Sequence, residues 1–83
     1  MTYPTTFNYF QTITKSDTVA TPTYQGNLPQ AIFVGTGGDI IAANIDGTTT
    51  TIKAASGSLL PFAIYRINST NTTASAFVGC WAV

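Results

Sequence analysis

The side chains that could act as acid, base, nucleophile or charge are few: Asp17, Asp39, Asp46, Lys15, Lys53, Arg66 and Cys80. The chain has no His and no Glu. General acid–base catalysis draws on a histidine, or on paired carboxylates whose pKa values are pushed apart. The three aspartates are far apart in the chain and fall in predicted turns, where Asp holds local backbone. A cysteine nucleophile needs a neighbouring base or cation. Cys80 instead alternates with Val78 and Ala82 on an apolar strand face, the setting of a buried structural thiol. Zinc requires clustered Cys and His, and one Cys without His makes no cluster. The expectation is a protein with no catalytic residues, no metal and no cofactor.

Other motifs read as local structure. Gly35-Thr36-Gly37-Gly38-Asp39 has the glycines of a phosphate loop, but such loops feed a helix N-terminus and this one joins two strands. Asn68-Ser69-Thr70 and Asn71-Thr72-Thr73 match the N-glycosylation pattern. Residues 1–10 have neither the basic start nor the apolar core of a secretory leader, so both triplets are expected to serve as turn chemistry. The Thr48-Thr49-Thr50-Thr51 run lacks the fixed repeat of an ice-binding ladder, and strand propensity accounts for it. Tyr3, Tyr9, Tyr24, Tyr65 and Trp81 could stack on sugar rings. The polar groups that would orient a sugar are not clustered near them, which favours a protein interface over a glycan site.

The elements that must position these residues are strands. Residues 1–30 are interrupted by Pro4, Pro22 and Pro29 and carry Tyr3, Phe7, Tyr9 and Phe10 without a period of 2 or 3.6. They read as an extended arm with one short strand over residues 18–21. The arm either folds back on the chain's own core or lies across a neighbour. Residues 31–83 read as a compact β domain. Strands are expected at 31–34, 39–45, 48–54, 62–68 and 74–83, and Asp46-Gly47 predicts a type I′ hairpin turn. The fold class is therefore all-β, a small antiparallel sandwich or barrel with an extended N-terminal arm.

Both faces of the last strand are apolar. Ala76, Val78, Cys80 and Ala82 alternate with Phe77, Gly79, Trp81 and Val83. Residues 62–68 also alternate, with Phe62, Ile64 and Arg66 against Ala63, Tyr65 and Ile67. A half-exposed strand normally shows one polar face. Two apolar faces predict one turned to the core and one to a partner.

Composition agrees. The chain has 83 residues, 45% hydrophobic and 12% aromatic, but only 7% charged and with zero net charge. Three scattered cations cannot neutralise a nucleic-acid backbone or anchor to an anionic membrane, and no apolar run is long enough to span a bilayer. Apolar content this high argues against disorder. A single Cys excludes an intramolecular disulfide framework and is compatible with a reducing site of synthesis. A free domain of this size usually keeps soluble with a charged surface. This one is expected to pack against copies of itself or another protein through Tyr3, Phe7, Tyr9, Phe10, Phe62, Ile64, Tyr65, Arg66, Phe77 and Trp81.

The ordered series Ile13-Thr14, Ser16-Asp17-Thr18, Ala31-Ile32-Phe33-Val34-Gly35, Gly37-Gly38-Asp39-Ile40, Asp46-Gly47, Gly57, Leu60-Pro61, Arg66-Ile67, Thr70, Thr72-Thr73-Ala74 and Trp81 resembles the spike base family of tailed bacteriophages and gene transfer agents. The chain departs from that pattern at Ala63, where the family tends to be basic, and at Asn71, where it tends to have Gly. The resemblance implies a small β-rich virion structural protein made in the host cytoplasm. It would bind the capsid surface at a vertex, as a homo-oligomeric base for a spike or fibre. Its partners would be copies of itself, the major capsid protein and a spike or fibre protein. A decoration or cement protein clamping capsomers, and a glycan-binding fibre module, are the alternatives.

Overall fold

The computed structural model describes residues 7–82. Its strands are β1 (Tyr9–Ile13), β2 (Ala31–Thr36), β3 (Gly38–Ala43), β4 (Thr49–Ala54), β5 (Ser58–Leu60), β6 (Arg66–Ile67) and β7 (Ser75–Trp81). There is no helix among the described residues. One sheet has the order β1-β7-β2-β5 and the other β4-β3-β6, with every pairing antiparallel. The all-β class expected from the sequence is the class observed.

The two sheets share one core. Ile13, Ile32, Val34 and Phe77 of the larger sheet cluster with Ile40, Ala42 and Ile67 of the smaller, together with Ile64 and Ala74. Ile52, Ala54 and Leu60 pack at its margin. Alternation along β2 explains the selection: Ile32 and Val34 point inward while Phe33 points out.

The strand expected at residues 18–21 does not form. The Ser16 hydroxyl accepts the N–H groups of Thr18 (3.2 Å) and Val19 (3.0 Å), closing a turn there. The strand near the start of the chain is β1 instead, and it pairs along its length with β7. Residues 9–13, inside the stretch expected as an arm, thus form an edge strand of the larger sheet. Residues 1–6 lie outside the described residues.

The strand expected over residues 62–68 shrinks to β6. The chain leaves the larger sheet at the end of β5 and enters the smaller at β6, and Pro61, which has no N–H to give a ladder, starts the crossing. The hairpin at Asp46-Gly47 forms with a different turn. Gly47 N–H donates to the Asn44 carbonyl (3.0 Å) and Asn44 N–H to the Thr48 carbonyl (2.8 Å). Gly47 has φ +91° and Asp46 is not left-handed, so this is a three-residue loop closed by a left-handed glycine.

β6 covers only Ala42 and Ala43 of β3. Further along, the edge of β3 is completed by residues 68–74. The Thr72 hydroxyl accepts Ile41 N–H (2.9 Å) and the Thr73 hydroxyl accepts Asp39 N–H (2.8 Å). Asn68 N–H donates to the Ile41 carbonyl (2.9 Å) and Thr73 N–H to that of Asp39 (2.9 Å). Two side-chain hydroxyls thus stand where a neighbouring strand would place carbonyls. Asn71, with φ +67°, makes the intervening turn.

Candidate functional site

Each charged side chain is tied into the framework. The Asp17 carboxylate accepts Thr70 N–H (2.9 Å) and the Thr70 hydroxyl, which hold its pKa below the ordinary aspartate value. The Asp46 carboxylate does the same with Thr48, at 3.0 Å from the N–H and 2.7 Å from the hydroxyl, and is lowered likewise. Asp39 pairs with Lys53 at 3.0 Å across β3 and β4. Lys15 Nζ donates to the carbonyls of Thr72 and Ala74, at 3.1 Å each, and Arg66 Nε to Asn68 Oδ1 (2.9 Å). Asp46 sits in a turn as expected. Asp39 lies in a strand, and Asp17 reaches a residue remote in sequence.

Cys80 is buried, and its Sγ contacts the Val78 carbonyl at 3.7 Å. Burial pushes its thiol pKa up, the opposite of what a nucleophile needs. No group of three or more His, Cys, Asp or Glu among the described residues could hold a metal ion. What these residues do chemically is hold backbone, in the case of Lys15, Asp17 and Asp46, or pair with another side chain, in the case of Asp39, Lys53 and Arg66.

The sheet register defines a second kind of surface. On the inner face of the larger sheet, Ile13, Phe77 and Val34 form one row, and Gln11, Gly79, Ile32 and Leu60 the next. On the outer face, Phe10, Cys80 and Ala31 form a row, followed by Thr12, Val78, Phe33 and Leu59. Cys80 and Ala31 are buried, while Phe10 (58% exposed), Leu59 (48%) and Phe33 (39%) open to solvent. The outer rows contain no charged residue. This is the second apolar face expected from the alternation of the last strand.

The residues expected at an interface divide. Phe10 and Phe62 are exposed, and Phe7, Tyr9, Tyr65 and Arg66 are half-buried. Tyr3 lies outside the described residues. Ile64, Phe77 and Trp81 are buried inside this chain. The expectation for these three is corrected, because their side chains leave no surface for a partner. Phe77 belongs to the core cluster. Trp81 Nε1 donates to the Asn27 carbonyl (3.0 Å), and its ring meets Tyr9 edge-on at 5.3 Å. Tyr9 and Tyr24 stack on each other at 3.9 Å.

Sequence reasoning placed Phe77 and Trp81, on the bulky face of the last strand, at a partner's surface, and did not single out Phe33 and Leu59, which the structure leaves exposed. The bulk was the signal for the opposite conclusion. A core fills with its largest side chains, so Phe77 and Trp81 turn inward and the smaller Val78 and Cys80 face out.

Two antiparallel sheets, charges engaged in structure and one uncharged apolar face define a small all-β protein whose available surface is suited to contact. No protein-family model and no curated protein matches the chain. A solved structure titled "Capsid of native GTA particle computed with C5 symmetry" contains a chain 31% identical to this one, with a TM-score of 0.75 over 90% of this chain and 83% of that one. The present chain belongs to the family of that gene transfer agent capsid component.

Proposed function

We propose that this protein is a non-enzymatic structural component of a phage-like particle, bound to the capsid surface at a vertex as a homo-oligomeric base for a spike or fibre. The observation that carries the particle role is the 31% identity to a chain of a gene transfer agent capsid, spread over 90% of this chain. The vertex and the spike rest on the ordered residues that resemble the spike base family. The residues support a binding role in their own right. The charged side chains are engaged by other groups of this chain, and Phe10, Phe33, Leu59 and Phe62 remain exposed. The partners are then copies of this chain, the major capsid protein and a spike or fibre protein.

The test uses particles assembled without this chain. Fluorescently tagged protein is added back and its position read by electron microscopy with gold labelling. Label confined to the vertices is the expected result. Label over every capsomer would replace the spike base by a cement protein. No retention on the particle would overturn the assignment.

A further inference from the structure

We infer that Asp46 is the residue at which this chain ages covalently, by isomerisation through its bond to Gly47, and that Thr48 and Asn44 hold the folded hairpin against that reaction.

The chemistry starts in the sequence. The backbone nitrogen of the next residue can attack an aspartate side chain, and a side chain on that residue shields the nitrogen. Glycine offers no such shield. Asp46-Gly47 is the one place in the chain where an Asp or Asn precedes a Gly. Asp17 and Asp39 are followed by Thr18 and Ile40, whose β-branches crowd the nitrogen. In the reaction the Gly47 nitrogen bonds to Asp46 Cγ and closes a five-membered succinimide. One water leaves, made of a carboxyl oxygen, the amide proton and a second proton from solvent. Water then reopens the ring. Opening at Cγ restores aspartate, and opening at the α-carbonyl gives isoaspartate, whose main chain runs through Cβ and Cγ. One water is lost and one regained, and nothing is oxidised or reduced.

The site is open to water. Residues 44–48 are exposed, and a Cβ on Gly47 would meet nothing within 4 Å. Both reacting groups are nevertheless occupied. Gly47 N–H donates to the Asn44 carbonyl at 3.0 Å, so the nitrogen must give up that bond before it attacks. Asp46 Oδ1 accepts Thr48 N–H at 3.0 Å and the Thr48 hydroxyl at 2.7 Å. These bonds favour the ionised carboxylate, a poorer electrophile than the neutral acid, and tether it to residue 48. The Asn44 side chain sets the direction of the hydroxyl. Its Nδ2 can only donate, and it lies 2.9 Å from Thr48 Oγ1, so the Thr48 proton is left to point at Asp46. Isoaspartate would add one carbon to the main chain of a loop that two backbone bonds of Asn44 close, so the product does not fit the β3–β4 hairpin. This chemistry is independent of the particle role.

The test is isoaspartate formation in the full chain kept in warm neutral buffer, either folded or unfolded in guanidinium chloride. Isoaspartate is counted by methyl transfer from S-adenosylmethionine with an isoaspartyl methyltransferase and located by peptide fragmentation. The unfolded chain is expected to isomerise at Asp46 about tenfold faster than the folded one, or more, since a hydrogen bond to a charged group must otherwise be broken first. Thr48→Val, which loses the hydroxyl, is expected to speed the folded chain by about tenfold, while Thr48→Ser, which keeps it, stays at the wild-type rate. Asp46→Ala is expected to abolish the signal. The emission of buried Trp81 reports that each variant is folded.

Equal rates in the folded and unfolded chain would overturn the protection. So would a folded Thr48→Val that isomerises no faster than the wild type. Isoaspartate that forms at another position, or persists in Asp46→Ala, would overturn the site.

Discussion

The Thr72 hydroxyl takes the N–H of Ile41 on the side of β3 away from β4, beyond the reach of β6, and Thr72 is 6% exposed. Thr72→Val keeps the shape and removes the acceptor, so the N–H is left unpaired away from water. The expected loss is about 1–3 kcal/mol, seen as a lower midpoint in urea unfolding followed by Trp81 fluorescence. A midpoint equal to the wild type would show that water replaces the hydroxyl. At this scale the sequence was legible where partners are close in the chain. Asp46 next to Gly47 announces a turn, and the carboxylate binds Thr48 two residues on. Asp17 binding Thr70 was not legible, since no local spacing connects them. The hydroxyls of Thr72 and Thr73 read only as turn residues, because a ladder acceptor has no sequence signature.

Among the elements, β2 and β7 meet at Gly35 and Ala76. A Cβ on Gly35 would stand 2.7 Å from the Ala76 Cβ and 3.1 Å from the Ala76 carbonyl oxygen. Ala76 is itself left-handed, with φ +59°. Gly35→Ala is therefore expected to lower stability by about 1–3 kcal/mol through overpacking. Ala76→Gly frees the space and the backbone together, so it should recover most of that loss in the double variant. A double-mutant cycle by urea unfolding measures this, and strictly additive effects would show that the two strands do not press on each other there. The same pair shows what sequence patterning resolves. β2, β3, β4 and β7 were visible because apolar and β-branched residues run between glycine or asparagine turns. β1 was hidden because Phe10, Gln11 and Thr12 are exposed on an edge and show no clean alternation. Residues 62–65 looked like strand because they are apolar, yet they carry the chain from one sheet to the other.

For the whole molecule, the scarcity of charge sets the response to pH. The ordinary aspartate value is near 3.8, and hydrogen bonds hold Asp17 and Asp46 below it in the folded protein. A depressed folded pKa stabilises fully above the unfolded value, and the contribution is lost as pH falls through the folded one. With no His in the chain, side-chain titration gives little change between about pH 5 and 8. The melting temperature is expected to be flat over that range and to fall below about pH 4. Asp17→Asn with Asp46→Asn should reduce the acid slope, and an unchanged slope in thermal scans would assign it to other groups. The all-β class was legible at this scale because composition and turn spacing are properties of the whole chain. Which face of β7 turns to the core was not, since both faces are apolar and only packing decides between them.

β7 lies at the interior of its sheet, between β1 and β2, yet it follows all six other strands in the chain. During synthesis β1 and β2 leave the ribosome well before the strand that joins them exists. Pairing of Tyr9 with Trp81 closes almost the whole described chain into one loop, and such non-local contacts form slowly because closure must come before the reward. The β2–β5 pair and the β3–β4 hairpin can form on the nascent chain before β7 exists, but β1 has no partner and cannot join the larger sheet until residues 75–81 are free.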